Sequence, residues 1–333
     1  MAWTDVRGHD ETRQQLLAAY HRGRLGHAYL FVGPEGVGKK RFAVEFAKAV
    51  LCESPPAEFV ACDHCPACAQ VMAETHPDFA VFTRPDDKQE FVVEVAQQVV
   101  ANLALRPARG RGRVCLIDEA DSLNEESANC LLKSLEEPPP GSVLILLATS
   151  TDTQLPTILS RCQVVRFKPL SSADLKLVLI EQGVTDPADL ERLVRLSGGC
   201  VGRALALSDK AVADFRHALF NQFTTAKPDS FALAKFINEF VADAGKESGP
   251  KRERASAVVR MLLDLLQSSL RVALGGAADG ERVERDAMRH WAAVGAERIA
   301  DAMEAAAEAD RLIDRRVQLE VLIEQLADRL CRR

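Results

Sequence analysis

The run Gly33-Pro-Glu-Gly-Val-Gly-Lys-Lys40 constrains this chain more than any other segment. It follows an apolar stretch, His27 to Val32, and opens a segment from Arg41 to Leu51 with apolar residues at Phe42, Phe46, Ala49 and Val50. Strand, glycine-rich loop and helix in that order are the context of a phosphate loop, whose backbone N–H groups cradle phosphates while a lysine reaches the outer ones. Gly33, Gly36, Gly38 and Lys39 satisfy the pattern. Lys40 stands where a Ser or Thr hydroxyl would ligate Mg²⁺, and an ammonium has no lone pair to offer a metal. Two unit charges about 4 Å apart repel by ~4 kcal/mol at an effective dielectric of ~20, and Mg²⁺ carries two. Nucleotide binding through Lys39 is compatible with this loop; efficient hydrolysis is not expected.

The first half of the chain alternates short apolar runs with helical patterns, as a parallel α/β sheet requires. Phe79 to Phe82, Arg113 to Asp118, Val143 to Ala148 and Gln163 to Phe167 read as strands. Asn124 to Glu137 reads as a helix stopped by Pro138-Pro-Pro140. After Pro169 the pattern becomes helical, with Ser171 and Ser172 as caps and predicted helices over Asp186 to Ser197 and Gly202 to Ala213. Breaks fall at Lys227-Pro-Asp-Ser and Gly275 to Asp279, and the last helix lines up Leu319, Leu322, Ile323, Leu326 and Leu330. The expected organisation is an α/β domain over 1–169, a small helical domain over 170–210 and a larger all-α domain over 211–333.

Roughly eighty residues beyond the loop, the strand ending in Asp118-Glu119 supplies two carboxylates. In a nucleotide hydrolase the Asp holds Mg²⁺ and the Glu polarises the attacking water. Lys40 opposes that chemistry while the carboxylates favour it. A separate signal is Cys52-x₉-Cys62-x₂-Cys65-x₂-Cys68, the spacing of a closed, four-thiolate structural zinc site within 52–68. Cys115, Cys130, Cys162, Cys200 and Cys331 read as buried small residues or surface thiols, and His64 and His76 as surface or packing residues. Arg106, Arg109, Arg111 and Arg113 form a basic run, read as a solvated loop in preference to a nucleic-acid contact. The net charge of −6 argues against a generally DNA-coating surface. No signal-peptide pattern or membrane-length apolar run occurs, which makes the cytoplasm the expected compartment.

Taken together, the His27-Ala-Tyr-Leu-Phe lead-in, the four-Cys module and Leu131-Leu-Lys-Ser-Leu-Glu-Glu-Pro-Pro139 resemble the bacterial clamp-loader subunits of DNA polymerase III. Leu146-Leu-Ala-Thr-Ser150 and Ser160-Arg161-Cys162 complete the resemblance, which lies within the AAA+ superfamily. It implies an AAA+ P-loop domain with a parallel sheet flanked by helices, then a helical lid and an all-α collar. It further implies that Arg161 acts in trans as an arginine finger on a neighbour's ATP, and that Thr149 occupies a sensor position. Motor subunits of the gamma/tau type carry a metal-binding hydroxyl and a second sensor arginine. Here Lys40 replaces the hydroxyl and Gly202 aligns with the arginine, with Arg203 one residue off, about 100° around a helix. Both departures point to the delta prime group and to a chain without autonomous ATPase activity.

The expected cofactors are structural Zn²⁺ and, at Lys39, ATP or ADP, with Mg²⁺ disfavoured. The expected partners are the gamma/tau motor and delta subunits, with the sliding clamp and primer-template DNA reached through the complex and no membrane. The stretch Asp310 to Glu320 resembles a collar helix of either subunit type. The alternatives are an active gamma/tau-type motor of the same loader, and another nucleic-acid-dependent AAA+ ATPase.

Overall fold

Five short segments of the chain form one parallel sheet, its three inner strands buried on both faces. In the computed structural model, which describes residues 3, 6–57, 59–85, 88, 90–224, 229–245, 248–314 and 317–332, the strands are β1 (Ala28–Val32), β2 (Phe79–Phe82), β3 (Arg113–Ile117), β4 (Ser142–Ala148) and β5 (Gln163–Arg166). Their order is β2-β3-β4-β1-β5, so β1 is paired on both sides, with Val32 opposite Ala148 and Arg166. Helices α1 (Asp10–His21), α2 (Lys39–Leu51), α3 (Pro66–Met72), α4 (Val93–Ala104), α5 (Glu125–Glu136) and α6 (Pro156–Leu159) connect or precede the strands. Helices α7 (Ser172–Glu181), α8 (Pro187–Ser197) and α9 (Val201–Ser208) follow them.

Alternation along β1 explains how the sheet is covered. Leu30 and Val32 join Cys115, Ile117, Leu144 and Leu146 on one face, against Ala96, Val99 and Leu103 of α4 and Ala128, Leu131 and Leu135 of α5. Tyr29 and Phe31 face the other way, where Tyr29 meets Phe46 at 5.3 Å and Phe31 meets Phe42 at 5.7 Å between ring centroids. Phe42 and Phe46 lie four apart on α2, so one helical stripe fills that layer. Truncating either to Ala would cost about 3–5 kcal/mol.

The chain divides into two compact units, Met1–Ser208 and Asp209–Arg333. The second consists of α10 (Lys210–Gln222), α11 (Ser230–Ala242), α12 (Ser248–Ala273), α13 (Arg282–Val294), α14 (Ala296–Asp314) and α15 (Leu319–Cys331). Its core includes Leu262, Leu265 and Leu266 of α12, Ile299 and Ala302 of α14, and Leu322, Ile323, Leu326 and Leu330 of α15. Leu319, expected on the same face, is half-buried. A buried ion pair joins Arg216 to Glu284, and the Arg216 guanidinium also lies over the Phe220 ring at 4.3 Å.

Most predicted elements are present within a residue or two. One is not: the helix expected over Gly202 to Ala213 is two helices, because the Asp209 side chain accepts the Ala211 N–H at 2.8 Å and starts α10 afresh. Helices α1, α3, α4 and α6 had no counterpart in the sequence pattern. Lys227 and Pro228 of the predicted break, and Arg315 and Arg316 within Asp310 to Glu320, lie outside the described residues. Among the described residues no helix is long and apolar enough to cross a membrane.

Candidate nucleotide-loop and zinc centre

The phosphate loop, Thr149 and Asp118 leave the carboxyl ends of β1, β4 and β3, three neighbouring strands. That edge is where open α/β sheets bind ligands. Gly33 is required by crowding: a Cβ there would sit 2.4 Å from the Phe167 carbonyl oxygen. Gly36 and Gly38 have φ of 72° and 103°, left-handed values that favour glycine. His9 supports the loop from beneath, its Nε2 lying 3.0 Å from the Val37 carbonyl oxygen.

Within this loop the charges already have partners. Lys39, 9% exposed, donates from Nζ to the carbonyls of Gly33 at 2.6 Å and Pro34 at 2.9 Å. Burial lowers its pKa, against the raising influence of Asp121, Glu35 and Asp118. Lys40 lies between two carboxylates, 3.5 Å from Asp118 Oδ2 and 3.5 Å from Glu74 Oε1. Its ammonium therefore meets the carboxylate that the sequence marked as an Mg²⁺ ligand.

Gly202 bears directly on the same loop. Its N–H, one of the unpaired donors at the start of α9, donates to the Gly36 carbonyl at 3.0 Å. A Cβ on Gly202 would lie 3.0 Å from Gly36 Cα, so backbone packs on backbone. The sequence predicted that a sensor side chain was missing here; it gave no sign that the helix itself would rest on the loop.

The other site residues are held by charged partners that the sequence did not single out. Glu119 takes a left-handed φ of 55° and is paired with Arg84 at 3.1 Å. Asp121 accepts the Thr149 N–H at 2.7 Å, the Thr153 hydroxyl and the Gln154 amide, fixing the turn after β4. Arg161 follows α6 and pairs with Glu136 at the end of α5. A carboxylate three or four residues past a motif is too common a pattern to single out from sequence.

Cys52, Cys62, Cys65 and Cys68 place their Sγ atoms within 4.8 Å of one another. The Cys52–Cys65 and Cys62–Cys68 pairs are each 4.0 Å apart, twice a disulfide length but near the ~3.8 Å that a tetrahedron of ~2.3 Å Zn–S bonds requires. Backbone N–H groups of Cys62, Cys65 and Cys68 donate to the sulfurs of Cys52, Cys62 and Cys65 at 3.3–3.4 Å. Burial opposes the Cys65 thiolate, but the N–H groups of Cys68 and Glu53 and the neighbouring Cys68 and Cys62 thiols bring its pKa to about 6. The donor set fits zinc.

The module is anchored to α2 by a buried charge. Lys48 Nζ lies 2.7 Å from Glu45 and 2.5 Å from Asp63, the residue after Cys62. Burial works against that ammonium, yet Asp63 and Glu45 raise its pKa overall. Phe59 packs on Phe46 at 5.1 Å and accepts the Trp3 indole N–H at its carbonyl.

Arg106, Arg109 and Arg111 of the basic run are exposed, as expected of a solvated loop, while Arg113 is buried in β3. Asp78, 1% exposed, accepts the N–H groups of Ala108 and Arg109 and pairs with buried Arg113 at 3.1 Å. Arg109 pairs with Glu53, and Arg111 donates to the Glu53 carbonyl at 3.0 Å, so the loop is tied to the cysteine module. His64 is exposed and His76 is buried, its Nδ1 accepting the Asp78 N–H at 3.0 Å. Cys115, Cys162 and Cys200 are buried, while Cys130 and Cys331 are partly exposed.

Sheet, phosphate loop and the carboxylates at the end of β3 define a P-loop α/β fold. Residues 8–171 match the family model described as DNA polymerase III, delta subunit. A DNA polymerase III subunit delta prime of Pseudomonas aeruginosa is 37% identical over 207 residues, covering 61% of this chain and 62% of its own. The subunit tau of Escherichia coli is 36% identical over 217 residues, 63% of this chain and 33% of its own, so the match spans less than two thirds of either relative. A gamma subunit-related protein of Thermotoga maritima aligns over 95% of this chain and 98% of its own, with 13% identity and a TM-score of 0.45. Over this region the chain is similar to the clamp-loader subunits of DNA polymerase III. Within that group its likeness is to the delta prime type, with tau and gamma subunits also among its relatives.

Proposed function

We propose that this chain is a delta prime-type subunit of a DNA polymerase III clamp loader. In this reading it assembles in the cytoplasm with gamma/tau motor and delta subunits, and residues 211–333 form its collar. Residues 1–169 and 170–210 act as one frame, and Arg161 serves a neighbouring subunit's ATP as an arginine finger. The complex then loads a sliding clamp onto primed DNA. Zn²⁺ bound by the four cysteines stiffens the frame, as the metal supplies folding energy to such modules.

One observation carries the reading: the chain satisfies its own phosphate loop. Lys39 is engaged by the loop's carbonyls, Lys40 by Asp118, and Gly36 by the N-terminus of α9. A loop so occupied is suited to holding two parts of the fold together, leaving chemistry to a partner. The test is the DNA-stimulated ATPase of a loader reconstituted with Arg161→Ala. Assembly should be retained and turnover should fall by at least about tenfold, the scale of lost arginine-finger stabilisation. Unchanged turnover would falsify the finger assignment.

The motor reading keeps one specific support, the presence of Lys39, Asp118 and Glu119 in the sequence. It predicts Mg²⁺-dependent ATP turnover by the isolated chain that disappears with Lys39→Ala.

A further inference from the structure

Glu136 is the last residue of α5, where the helix's own unpaired carbonyls carry partial negative charge. A carboxylate is electrostatically misplaced there, and Glu137 adds a second. What balances Glu136 is Arg161: Glu136 Oε1 accepts from Nε at 2.8 Å and also from Nη2. The other end of the guanidinium, Nη1, donates to the Thr157 carbonyl at 3.1 Å and the Ser160 hydroxyl at 3.0 Å. A guanidinium has five N–H donors, and these contacts use four.

The two ends are held unequally. Hydrogen bonds between ionised partners are roughly twice as strong as neutral ones. An approaching phosphate therefore displaces the neutral acceptors Thr157 and Ser160 before it displaces Glu136. The backbone that carries Glu136 is fixed, because Glu137 closes α5 through its N–H to the Lys133 carbonyl and Pro138 begins a rigid exit.

We propose that Glu136 is a positioning residue for Arg161, gripping the Nε/Nη2 edge so that the Nη1 end is exchanged for a phosphate of the neighbouring subunit's nucleotide. The inference rests on the arginine-finger reading above. Its test is steady-state ATPase of the reconstituted loader carrying Glu136→Ala, Glu136→Gln, Arg161→Ala and the Ala/Ala double variant, with assembly followed by gel filtration.

Glu136→Ala should lower kcat by about tenfold with KM unchanged within about twofold, in keeping with the steep cost of misplacing a reacting group. Glu136→Gln retains an acceptor and should recover part of that loss. The double variant should be no slower than Arg161→Ala alone. If Arg161→Ala slows turnover but neither Glu136 variant does, the Glu136 assignment is wrong and the finger stands. A further loss when Glu136→Ala is added to Arg161→Ala would also overturn it. If Arg161→Ala itself has no effect, both assignments fall.

Discussion

Gly202 shows how a single missing side chain is interpreted differently once coordinates are known. In the sequence it is an absent sensor; in the structure it is a contact surface for Gly36. Gly202→Arg crowds the Gly36 backbone at 3.0 Å, and overpacking of this kind costs about 1–3 kcal/mol. The urea midpoint of the variant should fall accordingly with the m-value unchanged. An unaltered midpoint would remove the close approach from the account. Lys40 changes meaning in a similar way. Its identity excluded a metal hydroxyl, but only its position shows that Asp118 and Glu74 are its partners. The spacing of the four cysteines was legible because metal geometry restricts ligand spacing tightly. Asp121, Glu136 and Lys48 were not, because an isolated charge in a sequence carries no record of what it will face.

At the level of elements, the cysteine module is held by three unlike contacts. Lys48 of α2 clamps Asp63, Phe59 enters the aromatic layer, and Arg109 and Arg111 tie Glu53 to the loop before β3. The expectation is one zinc per chain by elemental analysis. Removing it with a chelator should expose amides of 52–76 to hydrogen exchange while β1, β3 and β4 stay protected. Metal-free protein with unchanged protection in that segment would dismiss the zinc assignment. Strands and most helices were readable from periodicity, since each buries one defined face. The break at Asp209 was not, because local capping competes there with a helical pattern that continues across it.

For the molecule as a whole, two buried imidazoles set an acid limit. Burial lowers the pKa of His9, against the Val37 carbonyl and the charges of Asp10 and Asp174. Burial also lowers that of His76, with Asp78 opposing. A folded pKa below the unfolded value of about 6.5 means that the unfolded chain binds protons first as pH falls. Their stabilising contribution is complete above about 6.5 and is lost progressively below it. The urea midpoint should therefore drop between pH 7.5 and 5.5, and NMR should show both rings titrating below the ordinary histidine range. Rings that titrate normally would contradict this.

The sequence by itself determined the parallel α/β architecture, the phosphate loop with its unfit Lys40, the four-thiolate cluster and the helical second half. These follow from periodicity, from glycine's conformational freedom and from ligand chemistry, all of which act over short stretches of chain. Only the tertiary structure decided that the Gly36 carbonyl caps the start of α9, that Lys40 neutralises Asp118, and that Arg161 is gripped by Glu136. Those contacts join residues 25–166 positions apart. Their energies depend on burial and distance, which the packing of the sheet and its helices establishes.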